Sequence, residues 1–447
     1  MPPPVTLRTM SVLDAIDLAK RNYPSIRAAS LKAEAAREGI VQAKTAYLPR
    51  LDLLLDENYG TANNITGFLA PQSIVPNISG TVLKSNNFLG GFGFTSAALV
   101  SWQPFDFGLR KANVDVQRFA TKQAQSQIAV NELQTMSQAA DAFLSVIAAQ
   151  QVIRAAESKV ERWKVFAETV QVLVQKQLKP ATDQFLAEAE LISAKDELIA
   201  ARQNYKVALA ALVRWSGITG DTIEVQAAPL VYQAPENHFT VYDLYQHPQA
   251  VAQESVIDVI RAQRHAIERT WYPEFRVRVP VYARGSSFQP DLSLNFGQGY
   301  YPTKFNYAIS ALVTFPVMDI VSLRSQRRAA IKNELAERAH LDEIFLNLKQ
   351  QDAQAAAMIE ASSQIAANAP IKLKAAQEAA ESTRIRYRFQ LVNVNDVAQN
   401  EQLLTQAQVD YATAQLQVWR ALLALATAHG NLAPFIDLVA KAAAGSR

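Results

Sequence analysis

The sequence has no cysteine and is poor in histidine and glycine, and these shortages exclude several kinds of protein. Its 447 residues include 0 cysteines, 5 histidines and 15 glycines. Without cysteine, a chain has no disulfide, no thiolate metal site and no cysteine nucleophile. So few glycines in so long a chain indicate long helices connected by few turns.

Neither an excess of one charge nor a transmembrane helix is apparent. Lys and Arg number 44 against 41 Asp and Glu, a net charge of +3 that gives no support to nucleic-acid binding. The charge-free run Ser85 to Phe105 contains three glycines, two asparagines and a proline, which suits strands better than a lipid-buried helix. The start, Met1 to Pro4, does not resemble a signal peptide. The protein is therefore expected either to be cytosolic or to have lost its signal from this chain.

Landmark residues that recur at constant spacing indicate an internal duplication. The spacing is 224 residues early in each half and 213 late in each half, as seen for Pro24/Pro248, Pro49/Pro273, Leu178/Leu391, Asp183/Asp396 and Gly217/Gly430. We predict two repeats, residues 1–220 and 221–447, which form one continuous structure. Each repeat is predicted to contain a helix, a pair of strands and a long helical hairpin.

The hairpins are predicted at 106–216 and 319–429, where glycine is nearly absent. Their outgoing helices, 106–174 and 319–388, would each be on the order of 100 Å long. Pro370 is expected to break the second of them, because its ring displaces an intrahelical hydrogen bond. The return helices have heptad seams that pair a large residue with alanine, such as Leu404/Ala407 and Leu191/Ala194. Taken alone, these seams are equally typical of a plain coiled coil.

The strand pairs, about 50–103 and 274–315, favour a membrane protein over a plain coiled coil. Apolar and polar residues alternate along Arg276–Val281 and Asn306–Phe315, the pattern of transmembrane strands. Alternation is weaker in the first pair, where Leu53, Leu54 and Leu55 are consecutive. Four strands cannot close a barrel, which needs about eight, so several chains would have to share one.

In this order, the duplicated features resemble the TolC-type outer membrane efflux proteins along nearly the whole chain. The residues and segments on which the resemblance rests are Pro24/Pro248, Tyr47-Leu48-Pro49/Tyr272-Pro273, Trp102 to Gly108, Arg386 to Leu391, Asp396-Val397 and Gly217/Gly430. The resemblance implies a homotrimer with a shared twelve-stranded outer membrane barrel and a periplasmic tunnel of long helices. Segments near 221–245 and the C-terminal tail would form a belt around that tunnel. The fold class is therefore mostly α with a membrane β-barrel part.

The same resemblance implies a passive, non-enzymatic exit duct of a tripartite efflux or type I secretion system. Its partners would be outer membrane lipid, a periplasmic adaptor (membrane fusion) protein and an inner-membrane transporter. No cofactor, metal or nucleic acid is expected, and the location would be the outer membrane with a periplasmic extension. A soluble coiled-coil scaffold is the alternative function.

At the hairpin tips the resemblance implies a gate and a docking surface. Tyr387 aligns with the family's gate tyrosine, Asp183 with its partner, and Asp396 with the first of two carboxylates that ring the entrance. The alternative is a purely structural role, in which Asp183 and Asp396 only cap the return helices. Adaptor docking is assigned to the tips, at Gln177, Leu178, Gln390 and Leu391.

Three positions depart from the family pattern. The gate arginine is replaced by Val392, the second ring carboxylate by Gln399, and the tip glycine by Gln177 and Gln390 in the two repeats. The mode of adaptor docking is therefore open. One further alternative is a degenerate family member that has no pump partner.

Overall fold

The computed structural model describes residues 7–61, 86, 88–218, 222–225, 230, 242–289 and 293–445. Most of residues 60–88, within the first predicted strand pair, and much of the predicted belt segment 221–245 lie outside these residues. Within the described ranges, no helix combines the length and the apolar character needed to cross a membrane.

Helices make up most of the described chain, and four of them are long. The helices are α1 Val12–Asn22, α2 Pro24–Thr45, α3 Leu109–Gln175, α4 Ala181–Ser216, α5 Pro248–Arg269, α6 Ile320–Arg388, α7 Val394–Ala428 and α8 Ala433–Gly445. The strands are β1 Leu7–Met10, β2 Arg50–Thr61, β3 Gly90–Phe105, β4 Thr222–Val225, β5 Glu274–Ser286, β6 Lys304–Tyr307 and β7 Ser310–Thr314. The two helix pairs, α3 with α4 and α6 with α7, begin and end within three residues of the predicted hairpin bounds 106–216 and 319–429.

The chain divides into two compact units, and both halves of the sequence contribute to each. A helical unit comprises Met1–Ala33, Lys122–Ser255 and Glu337–Arg447, and a sheet unit comprises Glu34–Thr121 and Val256–Ala336. This spatial division differs in kind from the two sequence repeats, 1–220 and 221–447, which stay a prediction.

The core of the helical unit lies among α1, α3, α7 and α8 and a small parallel sheet of β1 and β4. Its largest fully buried side chains include Phe143, Trp419 and Phe435. Ala194 and Ala407, two alanines of the predicted heptad seams, are fully buried. Because the alanine side chain is small, the backbones of two helices packed at these positions can approach closely.

Local signals in the sequence account for where these helices start and stop. Ser11 and Asp14 form a capping box at the start of α1. The return helices α4 and α7 are followed by Gly217 at φ 66° and Gly430 at φ 73°, left-handed conformations that glycine adopts without strain. The sequence landmarks at 217 and 430 are therefore helix ends.

The predicted break at Pro370 is wrong, because α6 continues through it from Ile320 to Arg388. A proline inside a helix removes one backbone donor, but the rest of the hydrogen-bond ladder remains. Ala366 and Ala369, on the preceding turn, are buried in the core of the helical unit. This packing holds the turn in helical form and offsets the missing bond.

In the sheet unit an antiparallel sheet has the strand order β2-β3-β5, with β6 and β7 both paired to β5. The predicted strand Asn306–Phe315 is thus interrupted at residues 308 and 309. Its partner there is Pro280, which has no N–H to donate to the ladder. Only the carbonyl of Pro280 is used, and it accepts from the backbone N–H of Ala308 at 3.0 Å.

The sheet has one apolar face and one polar face. On the apolar face of β2, Leu51, Leu53 and Leu55 are exposed, Leu53 by 78%. Charged residues Arg50, Asp52 and Asp56 alternate with these leucines on the other face. Leu54, an apolar residue on the polar face, and Glu57, a charged residue on the apolar face, are the exceptions that weaken the alternation in the sequence.

Aromatic side chains cluster at both ends of this sheet. At the end next to the helices, Phe105 and Phe107 pack edge to face with ring centroids 4.6 Å apart. At the end next to the loops, the ring of Phe92 lies 4.8 Å from that of Tyr59 and 4.4 Å from that of Tyr300. Aromatic residues at two levels are typical of transmembrane strands, whose apolar band is flanked by two aromatic girdles.

Candidate functional site at the helix tips

One tight turn connects the two long helices of each hairpin, and the two turns have the same form. After α3, the N–H of Gln177 donates to the carbonyl of Val174 and the N–H of Leu178 to that of Leu173. After α6, Gln390 and Leu391 repeat this pair of bonds. Both turns are Schellman motifs, which satisfy the last carbonyls of a helix.

Both turns place glutamine in a conformation that favours glycine. Gln177 has φ 57° and Gln390 has φ 64°. A left-handed residue with a Cβ costs about 1–2 kcal/mol. The hydrogen bonds of the motif and the adjoining buried cluster hold both turns in this conformation. The tip backbone therefore has the form that a glycine would give it, although glycine is absent.

Next to the tips lies a buried apolar cluster that includes Trp163, Phe166, Tyr387, Val394 and Val397. The indole of Trp163 packs edge to face on Phe166 at 5.4 Å, and the Phe166 ring lies 5.1 Å from that of Tyr387. Val392, which the resemblance aligns with the family's gate arginine, packs against the same cluster. Its contact there is apolar.

Tyr387 and Asp183, which sequence reasoning paired, are in direct contact. The Tyr387 hydroxyl donates to Asp183 Oδ2 at 2.8 Å and links the end of α6 to the start of α4. Tyr387 is 0% exposed, and Lys179 Nζ lies 4.1 Å from the centre of its ring. Burial first, and then the Asp183 carboxylate, raise the pKa of Tyr387 above its ordinary value. The hydroxyl therefore stays a donor at neutral pH.

Asp396 occupies a different setting from Asp183. Its carboxylate accepts from the N–H of Asn393 at 3.0 Å, and its own N–H donates to Asn393 Oδ1 at 2.9 Å. This reciprocal pair is the capping box of α7. The N-cap of α4 is Pro180, which has no backbone N–H to donate, so Asp183 cannot form the same capping box. The capping alternative therefore describes Asp396 but not Asp183.

The remaining predicted residues lie at the surface of the tips. Leu178 and Leu391 are exposed, by 52% and 66%, and the Gln390 side-chain amide donates to the carbonyl of Leu178 at 3.2 Å. This bond joins the two turns. Gln399 is exposed on α7.

Sequence reasoning missed a buried ionic cluster next to the tips, centred on Glu401. The two Glu401 oxygens lie 2.7 Å from Arg162 Nε and 2.6 Å from Arg384 Nε. The Glu401 side chain is only 4% exposed. The other guanidinium nitrogens of Arg162 donate to Thr405 and Gln408. Glu401 thus connects α3, α6 and α7.

A second polar contact adds α4 to this group. Lys159 Nζ lies 2.7 Å from Glu197 Oε1 and donates to Gln402 Oε1 at 2.7 Å. Together, the residues around Glu401 and Lys159 tie all four long helices to one another, and we call them the four-helix clamp. Glu401 follows Val394 and Val397 and precedes Leu404 at helical spacing. A carboxylate within that apolar stripe is the signal that would have revealed the clamp.

Hydrogen bonds and ion pairs connect the helices at the tips. Among the described residues, no three His, Asp or Glu side chains converge on a point where a metal ion could bind. A hydroxyl–carboxylate bond and buried ion pairs can hold helices together and can be broken by a partner.

Comparison with known proteins agrees with this fold. Residues 15–217 match the sequence model of the outer membrane efflux protein family. No curated protein sequence matches the chain. Among solved structures, CusC superposes with a TM-score of 0.77 at 14% identity, covering 94% of this chain and 92% of CusC.

Two further channels are similar to the same degree. The outer membrane channel CmeC of Campylobacter jejuni gives a TM-score of 0.71 at 15% identity, with 96% and 89% of the two chains covered. The open state of the MtrE outer membrane channel of Neisseria gonorrhoeae gives 0.72 at 17%, with 94% and 89% covered. At these identities the structures show a shared fold.

These findings confirm the predicted resemblance to TolC-type outer membrane efflux proteins. The family consists of non-enzymatic transport conduits, as predicted, and its location is the outer membrane with an extension into the periplasm. The predicted fold class, mostly helical with a sheet that contributes to a barrel, is also confirmed, although the described strands of one chain form an open sheet.

Proposed function

We propose that three copies of this chain form the outer membrane exit duct of a tripartite efflux or type I secretion system. The duct is passive and closes at the helix tips. Its partners are a periplasmic adaptor, an inner-membrane transporter and outer membrane lipid. A family match over residues 15–217 and a channel fold along the chain support this proposal.

The open sheet is the observation on which the trimer rests. In the described part of the chain, β2 pairs only with β3, and β6 and β7 pair only with β5, so both outer edges are unpaired within one copy. Unpaired edges invite pairing with another chain. If β6 and β7 are counted as one strand position, each copy supplies four, and three copies related by rotation close a ring of twelve.

The two faces of the sheet suit the two environments of such a ring. The exposed leucines of β2, together with Phe305 and Tyr307 of β6, would contact lipid acyl chains. The charged residues of the opposite face would line the water-filled interior. In a soluble scaffold, an exposed row of leucines would promote aggregation. The soluble coiled-coil scaffold is therefore not favoured.

At the tips, the Tyr387–Asp183 bond would act within each copy and Asp396 around the threefold axis. Three carboxylates at close range repel one another and attract cations. Relaxation of the tip contacts would open the entrance. The role of these residues as a gate is part of the proposal.

The tips would also be the surface on which the adaptor docks. Leu178, Leu391 and Phe389 are exposed apolar residues at the tips, and Phe185, near the start of α4, is exposed as well. Gln177 and Gln390 keep the left-handed turn that presents these residues. The shape needed for docking therefore survives the loss of the glycines, which argues against a degenerate chain without a partner.

Because the native chain has no cysteine, single cysteines test which face of the sheet meets lipid. In isolated outer membranes, Leu53→Cys and Phe305→Cys should resist a charged, water-soluble maleimide. Asp56→Cys in β2 and Arg278→Cys in β5, on the polar face of the same sheet, should react readily. Gln177→Cys, at an exposed tip, serves as the positive control for labelling. Equal labelling of both faces would contradict a membrane-embedded sheet.

A further inference from the structure

A concavity on the polar face of the sheet is rich in arginine. It has a volume of about 960 Å³ and lies between strands β2, β3 and β5 and the segment 45–49 that precedes β2. Its charged lining residues are Arg50, Asp52, Arg276 and Arg278. Three guanidinium groups therefore face one carboxylate, and the remaining lining includes Ser101 and Gln103.

The excess of cations extends along the whole polar face. Opposite residues of an antiparallel pair share a face, so the register places Arg284 and Lys304 on the same side as Arg278. The cations of this face in the described strands are Arg50, Arg276, Arg278, Arg284 and Lys304, and the carboxylates are Asp52, Asp56 and Glu274.

Several of these charges neutralise one another locally. Arg50 Nε lies 2.8 Å from Asp52 Oδ1, and a terminal nitrogen of Arg276 lies 3.0 Å from Glu274 Oε2. Arg278 and Lys304 differ, because within the described residues no carboxylate lies at ion-pair distance from either. These two cations are the sources of positive potential that no nearby carboxylate cancels.

We infer that the section of the duct lined by the sheet favours anionic solutes, with Arg278 and Lys304 as its main selectivity residues. This inference rests on the proposed function, since it requires the polar face to line a pore. Threefold symmetry would triple the two uncompensated cations around one lumen. A ring of like charge in a narrow aqueous passage raises the local concentration of counter-ions and repels ions of its own sign.

The tips would oppose this preference, because the Asp396 carboxylates attract cations. The ion selectivity measured on the native chain would therefore combine the cation preference of the tips with the anion preference of the sheet section. Replacing Asp396 by alanine removes the carboxylates and leaves the sheet section to set the selectivity. The Asp396→Ala chain is thus the appropriate background for the test.

The test is the reversal potential of single channels in planar bilayers under a KCl gradient, measured in this background. At about 0.1 M salt, where charges act over about 10 Å, chloride should permeate more readily than potassium. Arg278→Gln with Lys304→Gln should reduce the chloride-to-potassium permeability ratio by roughly half or more. At about 1 M salt the preference should largely vanish, since the Debye length falls to about 3 Å.

A matched control is Glu57→Gln, which neutralises a charge in β2 that points to the apolar face. It should leave the permeability ratio unchanged. Conducting channels that prefer potassium, or that keep their ratio in the Arg278→Gln/Lys304→Gln variant, would overturn the inference and leave the duct intact. The absence of any conductance step would overturn the duct itself, and the inference with it.

Discussion

Glu401→Ala should lower the free energy of unfolding by about 3 kcal/mol or more, because it removes the centre of the four-helix clamp. The Glu401 carboxylate is nearly inaccessible to water and lies between Arg162 and Arg384. Its loss would leave two arginines in a partly desolvated site with no counter-ion. Breaking one partner of a buried ion pair costs far more than the pair itself contributes. Thermal unfolding of the detergent-extracted protein would measure the effect.

An exposed ion pair between the same helices provides the control. Arg202 and Glu157 join α4 to α3 at 3.1 Å, with side chains 57% and 49% exposed. Because water screens this pair, Glu157→Ala should cost at most about 1 kcal/mol. Glu401→Gln, which keeps the shape of the side chain, should fall between the two. If Glu401→Ala is no more destabilising than Glu157→Ala, the clamp does not hold the helices.

Tyr387→Phe combined with Asp396→Ala should raise single-channel conductance, with the open state favoured roughly tenfold or more. The first change deletes the hydroxyl that donates to Asp183 and leaves the ring packed on Phe166. A hydrogen bond to a charged group contributes about 1.5–3 kcal/mol, and each of three copies would lose one. The second change removes the carboxylates from the proposed entrance. Planar-bilayer recordings would report both the conductance and the open time.

Asn393→Ala separates the charge of Asp396 from its capping role. This variant abolishes the capping box of α7 but keeps every Asp396 carboxylate. Loss of a cap costs about 1 kcal/mol of helix stability. We expect Asn393→Ala to destabilise the tip with little change in conductance. An equal rise in conductance for Asn393→Ala and Asp396→Ala would assign the effect to the cap and not to the charge.

Much of the fold was predictable because its local signals are strong. Long glycine-free stretches identified α3, α4, α6 and α7, and Gly217 and Gly430 marked where two of them end. Predictions failed where long-range packing overrides a local rule. Pro370 reads as a helix breaker, yet its neighbours Ala366 and Ala369 are buried in a core that holds the helix together.

The candidate site was only partly predictable for a related reason. The resemblance paired Tyr387 with Asp183, residues 204 positions apart in the chain, but periodicity alone could not have done so. Glu401 forms ion pairs with Arg162 and Arg384 on two other helices. These contacts depend on how the three helices are rotated about their axes relative to one another. A single sequence does not specify that rotation. The gap in the last strand likewise depends on its register with Pro280.

The native mass of the assembly tests the central claim most directly. The chain would be expressed with a signal peptide, extracted from the outer membrane with detergent and measured by native mass spectrometry. We expect three protomers, because four strand positions per copy need three copies to close a ring of twelve. A water-soluble monomer or dimer, with no protein in the membrane fraction, would contradict the duct.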